Sequence, residues 1–94
     1  MDLRFEWDEA KADANLAKHR VSFDECQAVF GDPYAVTLFD QAHADVEDRF
    51  IGIGLSPIGR VLVVVYTETD EQIRIISCRR ATLRERRQYE ERPA

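Results

Sequence analysis

The spacing of hydrophobic residues along this chain changes at Gly31, and that change limits the folds that it can adopt. Before Gly31 the apolar residues recur every three or four positions, which is the period of a helix. The first such run is Trp7, Ala10, Ala14 and Ala17. After Gly31 they recur every second position, which is the period of a strand. The sequence therefore predicts helices first, strands next and an α+β fold.

Two helices are predicted in the first third of the chain. Asp8 is a candidate N-cap for a helix over residues 9–19. Ser22, followed three residues later by Glu25, has the spacing of a capping box and predicts the start of a second helix. Residues 3–7 alternate weakly, so they form either a short strand or an extended lead-in to the first helix.

Four strands are predicted next, in the segments 35–40, 49–56, 60–67 and 72–78. The third segment is apolar on both faces and is expected at the centre of the sheet. Short connections between segments favour antiparallel neighbours. Within the second segment, Gly52 and Gly54 share one face, which indicates that another element packs very close to it.

A last helix is predicted from Thr82 to Glu91, because Thr82 and Glu85 have the spacing of a second capping box. The expected fold is one domain over residues 1–94, with two N-terminal helices, a four-stranded antiparallel sheet and a C-terminal helix. The helices are expected on one side of the sheet.

Two features of the composition bear on where the protein acts. No apolar run approaches the roughly 20 residues that span a bilayer, and the first residues lack the pattern of a signal peptide, so we expect a cytoplasmic location. The two cysteines, Cys26 and Cys78, have no metal-ligand spacing. They are expected to be unpaired and buried, because nothing in the sequence indicates an oxidising compartment.

Charge is distributed unevenly along the chain. The net charge is -5, but residues 1–48 hold 4 basic and 12 acidic residues, whereas residues 49–94 hold 9 basic and 6 acidic residues. Eleven of the 13 basic residues are arginine. Because a guanidinium can contact phosphate or carboxylate through two parallel hydrogen bonds, this bias favours recognition of such groups.

The arginines concentrate in the segment IISCRRATLRERRQ, residues 75–88. Arg79 and Arg80 lie where the last strand meets the last helix, and Glu85 lies too far along the helix to neutralise both. These two arginines are predicted to bind phosphate. The other three, Arg84, Arg86 and Arg87, either extend that field or form solvent-exposed i,i+4 pairs with glutamates.

Two other groups of residues have functional and structural interpretations. His19, at the end of the first helix, has the chemistry of a general acid or base, with Lys11 and Lys18 to attract phosphate. The three residues are equally typical of a polar helix surface. Glu47 and Arg49 have two interpretations. Either Arg49 binds phosphate, with Glu47 orienting it or acting as a base nearby, or the two residues form an ion pair between strands. His43 has no spacing typical of a metal ligand.

The chain resembles the BrnT-type toxins, which belong to the RelE-like group of bacterial ribonuclease toxins. The residues that carry the resemblance are Phe5, Trp7, Asp8, Lys11, Asn15, Lys18, His19, Val21, Phe23, Glu47, Arg49, Gly52, Arg74, Ser77, Arg79, Arg80, Ala81, Glu85, Arg86 and Tyr89. One departure is Arg20, where the family often has glycine. If that position needs a positive φ, Arg20 costs about 1 kcal/mol.

The resemblance implies a RelE-like fold, cleavage of RNA without a metal or other cofactor, and arrest of translation. It also implies a neighbouring DNA-binding antitoxin of the ribbon-helix-helix type, similar to BrnA, through which the pair would contact operator DNA. The catalytic candidates are His19, Glu47, Arg49, Arg79 and Arg80. The candidates for binding RNA are Lys11, Lys18, Arg74, Arg84 and Tyr89.

The competing interpretation is a protein-interaction module without catalytic activity, in which the arginine-rich last helix docks an acidic partner. The acidic net charge favours this interpretation, since many RNA-binding proteins are basic. A DNA-binding regulator is disfavoured, because the sequence has no helix-turn-helix pattern.

Overall fold

The computed structural model describes residues 3–40 and 48–91. The strands in these residues are β1 (Arg4–Glu6), β2 (Val36–Asp40), β3 (Arg49–Leu55), β4 (Val61–Thr69) and β5 (Gln72–Arg80). The helices are α1 (Glu9–His19), α2 (Phe23–Gln27) and α3 (Leu83–Glu90), and a 3₁₀ helix, Ala28–Gly31, continues directly from α2. None of the helices in this part of the chain is both long and apolar enough to cross a membrane.

The described strands form one sheet in the order β1-β5-β4-β3-β2. The three hairpin-linked pairs are antiparallel, as predicted. The prediction of four strands is wrong, because β1 adds a fifth strand parallel to β5. A three-residue strand is too short for its period to be read, and its partner lies almost 70 positions along the chain. Of the two alternatives for residues 3–7, the strand is therefore confirmed.

One face of the sheet, here called the inner face, carries the larger core. Its buried side chains pack beneath α1, α2 and the 3₁₀ helix; from the strands they are Leu62, Val64, Tyr66, Ile73, Ile75 and Cys78. The close packing predicted at the strand glycines is confirmed. A Cβ at Gly54 would lie 2.8 Å from Cγ1 of Val29 in the 3₁₀ helix.

The opposite, outer face is only partly covered. Tyr89 of α3 packs there against Ile53 and Val63, in a buried cluster of three residues. The expectation that all helices lie on one side of the sheet is therefore wrong. The physical reason is the central strand β4. It is apolar on both faces, so another element must pack against each face of the sheet there.

Both ends of α1 match their sequence signals. Asp8 accepts a hydrogen bond from the backbone N–H of Lys11 and caps the N-terminus. Arg20, the C-cap, has φ 60°, in the left-handed region that favours glycine. The residue that departs from the family pattern therefore does occupy a positive-φ position.

Cys26 of α2 and Cys78 of β5 form a disulfide across the inner-face core, so the expectation of two unpaired cysteines is wrong. Both residues are fully buried, as predicted. They are 52 positions apart, and only the fold brings them together, so no local spacing could have indicated the bond.

Candidate functional site

Polar side chains form one row across the open part of the outer face. Arg49 of β3 lies opposite Asp40 of β2, and Arg74 of β5 lies between Thr67 of β4 and Glu6 of β1. The β3–β4 register places Arg49 beside Thr67, so the two arginines are separated by one strand. Neighbouring strands are about 4.8 Å apart, which puts the two Cα atoms roughly 10 Å from each other.

Arg79 lies on the same face, opposite Val63 and next to α3. Its Nη1 and Nη2 donate to the two carboxylate oxygens of Glu85, at 2.7 and 2.8 Å. Nη1 also donates to the carbonyl of Arg80 at 3.2 Å. Hydrogen bonds within the described residues thus use three of its five N–H groups, and leave Nε–H and one Nη2–H side by side.

The helix start holds Glu85 in position. The backbone N–H of Thr82 donates to the Glu85 carboxylate, and the Thr82 hydroxyl accepts from the N–H of Glu85, so the predicted capping box is confirmed. The hydrogen bonds from Arg79 lower the pKa of Glu85 to about 2, against a smaller opposing effect of burial. The Arg79 guanidinium is therefore fixed before any ligand arrives, while its side chain stays 40% exposed.

Arg80 lies on the other side of the sheet from Arg79, because neighbouring residues in a strand point to opposite faces. It lies opposite Leu62 of the inner-face core. The pKa of Glu25 in α2 is lowered mainly by its hydrogen bonds with Arg60, and the charge of Arg80 makes a smaller contribution. The structure does not bring Arg79 and Arg80 together on one surface.

Sequence reasoning missed Arg60, which lies in the turn between β3 and β4. Its Nε and Nη2 donate to the Glu25 carboxylate, and Nη2 also donates to the carbonyl of Arg20. Glu25 had the spacing of a capping-box residue, and Ser22 does accept from its N–H. Its carboxylate, however, binds Arg60. No pattern in the sequence links these residues, which are 35 positions apart.

The other candidates on α3 lie on different sides of that helix. Arg84 is exposed to solvent, and so is Arg87. Arg86 donates to Glu90 at 3.3 Å, one of the exposed pairs that the spacing indicated. Tyr89 is only 8% exposed and donates to Asp32 at 2.6 Å, so its first role is to anchor α3. Its contact with RNA stays a prediction.

The candidates on α1 lie apart from the outer-face row. This helix packs on the inner-face side, where Ala12 contacts the core. Lys11 and Lys18 are exposed and His19 is half-buried. Glu47 and His43 lie outside the described residues. Among residues 3–40 and 48–91, no three side chains of His, Cys, Asp or Glu come together as metal ligands do.

Comparison with known proteins identifies the family. A family model described as "Ribonuclease toxin, BrnT, of type II toxin-antitoxin system" matches residues 7–85. The chain belongs to the BrnT family. The match includes Arg49, Arg74 and Arg79 as well as the clamping Glu85. Because type II systems pair a toxin with an antitoxin protein, membership implies a cognate antitoxin.

The fold agrees with this assignment. The crystal structure of the Brucella abortus ribonuclease toxin BrnT is similar, with a TM-score of 0.67 and 23% sequence identity. The alignment covers 85% of this chain and 97% of the Brucella chain. No curated protein sequence matches significantly. The α+β class and the BrnT-like arrangement of the chain are therefore confirmed.

Proposed function

We propose that this BrnT-family chain is an endoribonuclease that cleaves RNA without a metal ion, and that the outer face of its sheet holds the RNA. The observation that carries the proposal is the geometry of Arg79. Its guanidinium is fixed by Glu85, and its free Nε–H and Nη2–H match two oxygens of one phosphate. A donor fixed in advance needs little reorganisation when charge develops on the substrate.

The proposed reaction uses the 2′-hydroxyl that distinguishes RNA from DNA. The 2′-oxygen attacks the adjacent phosphorus while a base takes its proton. Arg79 stabilises the extra negative charge of the five-coordinate phosphorus. The bond to the 5′-oxygen then breaks, and that oxygen takes a proton from an acid. The products are a 2′,3′-cyclic phosphate and a free 5′-hydroxyl.

Arg49 and Arg74 are the proposed contacts to neighbouring phosphates, because they share the outer face with Arg79. The ion pair of Arg74 with Glu6, at 3.3 Å, is exposed. Exposed pairs contribute at most about 1 kcal/mol, so a phosphate can replace the carboxylate.

Proton transfer is proposed for Glu47 or His19. Glu47 precedes Arg49 by two positions, so it is the candidate nearest in sequence to the outer-face arginines. His19 lies on the α1 side of the sheet and would act only on RNA that passes that edge. Arg80 and Lys18, also on that side, are proposed to bind the strand there, with Lys11 further along α1.

In the cell, cleavage of RNA in the cytoplasm would block translation. The cognate antitoxin, proposed to be a ribbon-helix-helix protein similar to BrnA, would neutralise the toxin and bring it to operator DNA. The rival function is a docking module without catalysis. Growth arrest on overexpression, relieved by Arg79→Ala, would favour the nuclease.

The direct test is cleavage of a long RNA by purified protein in EDTA. We expect Arg79→Ala to lower kcat by about 100-fold or more, the usual effect of removing a group that stabilises transition-state charge. Arg79→Lys keeps the charge but loses the paired donors, and should recover only part of the rate. Arg4→Ala removes one exposed arginine from the edge strand β1, opposite Gln72 at the far end of β5 from Arg79, and serves as the matched control.

Two further variants assign the proton transfers. Glu47→Gln and His19→Ala should each be assayed across pH, because removal of a general base or acid eliminates one limb of the pH profile. Equal rates for wild type and Arg79→Ala would contradict the proposed site. Absence of cleavage by folded wild-type protein, also in the presence of ribosomes, would contradict the nuclease function.

A further inference from the structure

We propose a second phosphate-binding site, in a cleft at the end of the sheet that is separated from Arg79 by α3. This inference rests on the proposed function, because it assigns the cleft to the backbone of the RNA strand that is cleaved at the outer face. The cleft, here called the sheet-end cleft, has a volume of about 420 Å³. Its charged lining is Arg60, Arg80, Arg86 and Glu90.

Three different elements supply the three guanidinium groups. Arg60 comes from the β3–β4 turn, Arg80 from the last position of β5 and Arg86 from α3. Glu25 is paired with Arg60 and Glu90 with Arg86, so two carboxylates offset two of the three positive charges. The remaining net positive charge would favour an anion in the cleft.

The N–H groups of these arginines remain available to a ligand. Arg60 uses Nε and Nη2 on Glu25 and Arg20, and both N–H groups of Nη1 remain. Arg80 is exposed, and within residues 3–40 and 48–91 its guanidinium has no ion-pair partner. Arg86 forms an exposed pair with Glu90 through its Nε, at 3.3 Å.

The position of α3 relates the cleft to the reacting phosphate. Glu85 holds Arg79 on one side of the helix, and the next residue, Arg86, lines the cleft on the other side. Arg84 and Arg87 lie on the solvent side between them, beside Leu83. The five arginines from Arg79 to Arg87 therefore form a track across one helix diameter, about 10 Å, from the outer face to the cleft.

Phosphate fits the cleft better than the carboxylates of an acidic protein do. The arginines line a continuous track, which matches the regular phosphates of a nucleic-acid backbone. The protein as a whole has a net charge of -5, so a cationic track around α3 also directs RNA to that end of the sheet. Docking of an acidic segment of the antitoxin is the alternative that the experiment separates.

The first experiment measures binding of a 2′-O-methyl RNA oligonucleotide, which cannot be cleaved because its nucleophile is blocked. Arg80→Ala, Arg86→Ala and the double variant are compared with wild type by fluorescence anisotropy at several salt concentrations. We expect each single variant to bind about 3- to 10-fold more weakly. The slope of log K against log salt should fall by about 0.7 for each phosphate of a single strand that the variant no longer neutralises.

The matched control is Arg4→Ala. It removes the same charge from an exposed position, opposite Gln72 at the other end of β5. Eight residues of strand separate that end from Arg80, roughly 26 Å. We expect its affinity to stay within twofold of wild type and its salt slope to be unchanged. Thermal unfolding of every variant tests that the fold is intact.

A second experiment separates this inference from the proposed function. In the cleavage assay, the Arg80→Ala, Arg86→Ala double variant should raise KM and leave kcat near wild type, whereas Arg79→Ala should lower kcat. Cleft-dependent binding of the oligonucleotide by a protein that does not cleave RNA would support the cleft and refute the nuclease. Arg79-dependent cleavage with wild-type KM and salt slope in the double variant would refute the cleft alone.

One more outcome overturns the proposal. The same double variant is assayed for its affinity for the cognate antitoxin. Loss of that affinity, together with unchanged binding of the oligonucleotide, would assign the cleft to an acidic protein segment. Loss of oligonucleotide binding, with the control unaffected, supports the cleft whatever the antitoxin does.

Discussion

In the described part of the chain, two arginine–glutamate pairs are joined by two hydrogen bonds each, and we call these pairs clamps. One lies on each side of the sheet, and they differ in which nitrogens of the arginine are occupied. At the inner side, Glu25 takes Nε and Nη2 of Arg60, and the side chains are only 19% and 14% exposed. At the outer face, Glu85 takes Nη1 and Nη2 of Arg79, which stays 40% exposed. The inner pair is therefore largely shielded from solvent, whereas the outer pair leaves the arginine accessible.

The two ion pairs therefore differ in how many parts of the chain they join and in how much of each arginine stays exposed. Arg60 joins the β3–β4 turn to α2 and, through the carbonyl of Arg20, to the end of α1. Among the described residues, Arg79 bonds to Glu85 of α3 and to the carbonyl of Arg80 in its own strand, and these hydrogen bonds leave its Nε–H unused. The inner side is thus more extensively cross-linked than the outer face, where we propose the site.

The inner side also has the disulfide, and its loss is the strongest test of that support. A bond between positions 52 apart lowers the conformational entropy of the unfolded chain, which stabilises the folded protein by about 4 kcal/mol. Reductant should therefore lower the melting temperature by about 20 °C. A variant with Cys26→Ala and Cys78→Ala is the control, since reductant should not change its melting temperature. Equal melting temperatures of the wild-type protein with and without reductant would contradict this role.

The second effect in size is expected at Arg60. Arg60→Ala leaves Glu25 partly buried without its cation, which should cost about 2 kcal/mol of unfolding free energy. Urea titration measures that loss. The kcat should change little compared with Arg79→Ala, whereas KM should rise, because Arg60 also lines the sheet-end cleft. A loss of kcat as large as that of Arg79→Ala would contradict the distinction between the two clamps.

A somewhat smaller effect should appear in the pH dependence of the outer clamp. The pKa of Glu85 is about 2 in the folded protein and 4.5 ordinarily, so its contribution to stability is complete above pH 4.5 and is lost as pH falls towards 2. Glu85→Gln should cost about 1–2 kcal/mol at pH 7, after allowance for solvent screening.

Unfolding of both proteins between pH 7 and pH 2 checks this sign. The difference between them should shrink as pH falls below 4.5, because Glu85 is then protonated in the unfolded wild-type protein while the folded protein keeps it ionised until about pH 2. A difference that grows on acidification would show that Glu85 stabilises the fold in some other way.

The smallest effect is expected at the end of α1. Arg20→Gly removes a side chain from a residue with φ 60°, and should raise the unfolding free energy by about 1 kcal/mol. Lys18→Gly is the matched comparison, because Lys18 lies within the helix and glycine there should cost about 1 kcal/mol. If the unfolding free energy decreased in both variants, the Arg20 side chain would have a stabilising contact.

Local signals in the sequence were enough to predict most elements. The caps Asp8, Ser22 and Thr82 were identified from residue type and spacing, and the structure has all three. The glycines of β3 correctly indicated close packing. These features depend on neighbours within a few positions, so no knowledge of the tertiary fold was needed to find them.

The errors concern contacts between distant positions. The parallel strand β1, the disulfide and the Arg60–Glu25 clamp each join residues that are 35 or more positions apart. The candidate site divides in the same way. Arg79 was identified by its place near the end of a strand, but the predicted strand ended at residue 78, whereas β5 continues to Arg80. Because neighbouring residues in a strand point to opposite faces, this extension puts the two arginines on opposite sides of the sheet.

Asn15 has a consequence for the solubility of the folded chain. Because β1 ends at Glu6, β5 continues beyond it with its outward peptide groups uncovered by a strand. The Asn15 amide donates to the carbonyl of Cys78 and accepts from its N–H, as a neighbouring strand would. One buried side chain thus closes an edge on which a second molecule could otherwise add a strand, and it protects the protein from edge-to-edge aggregation.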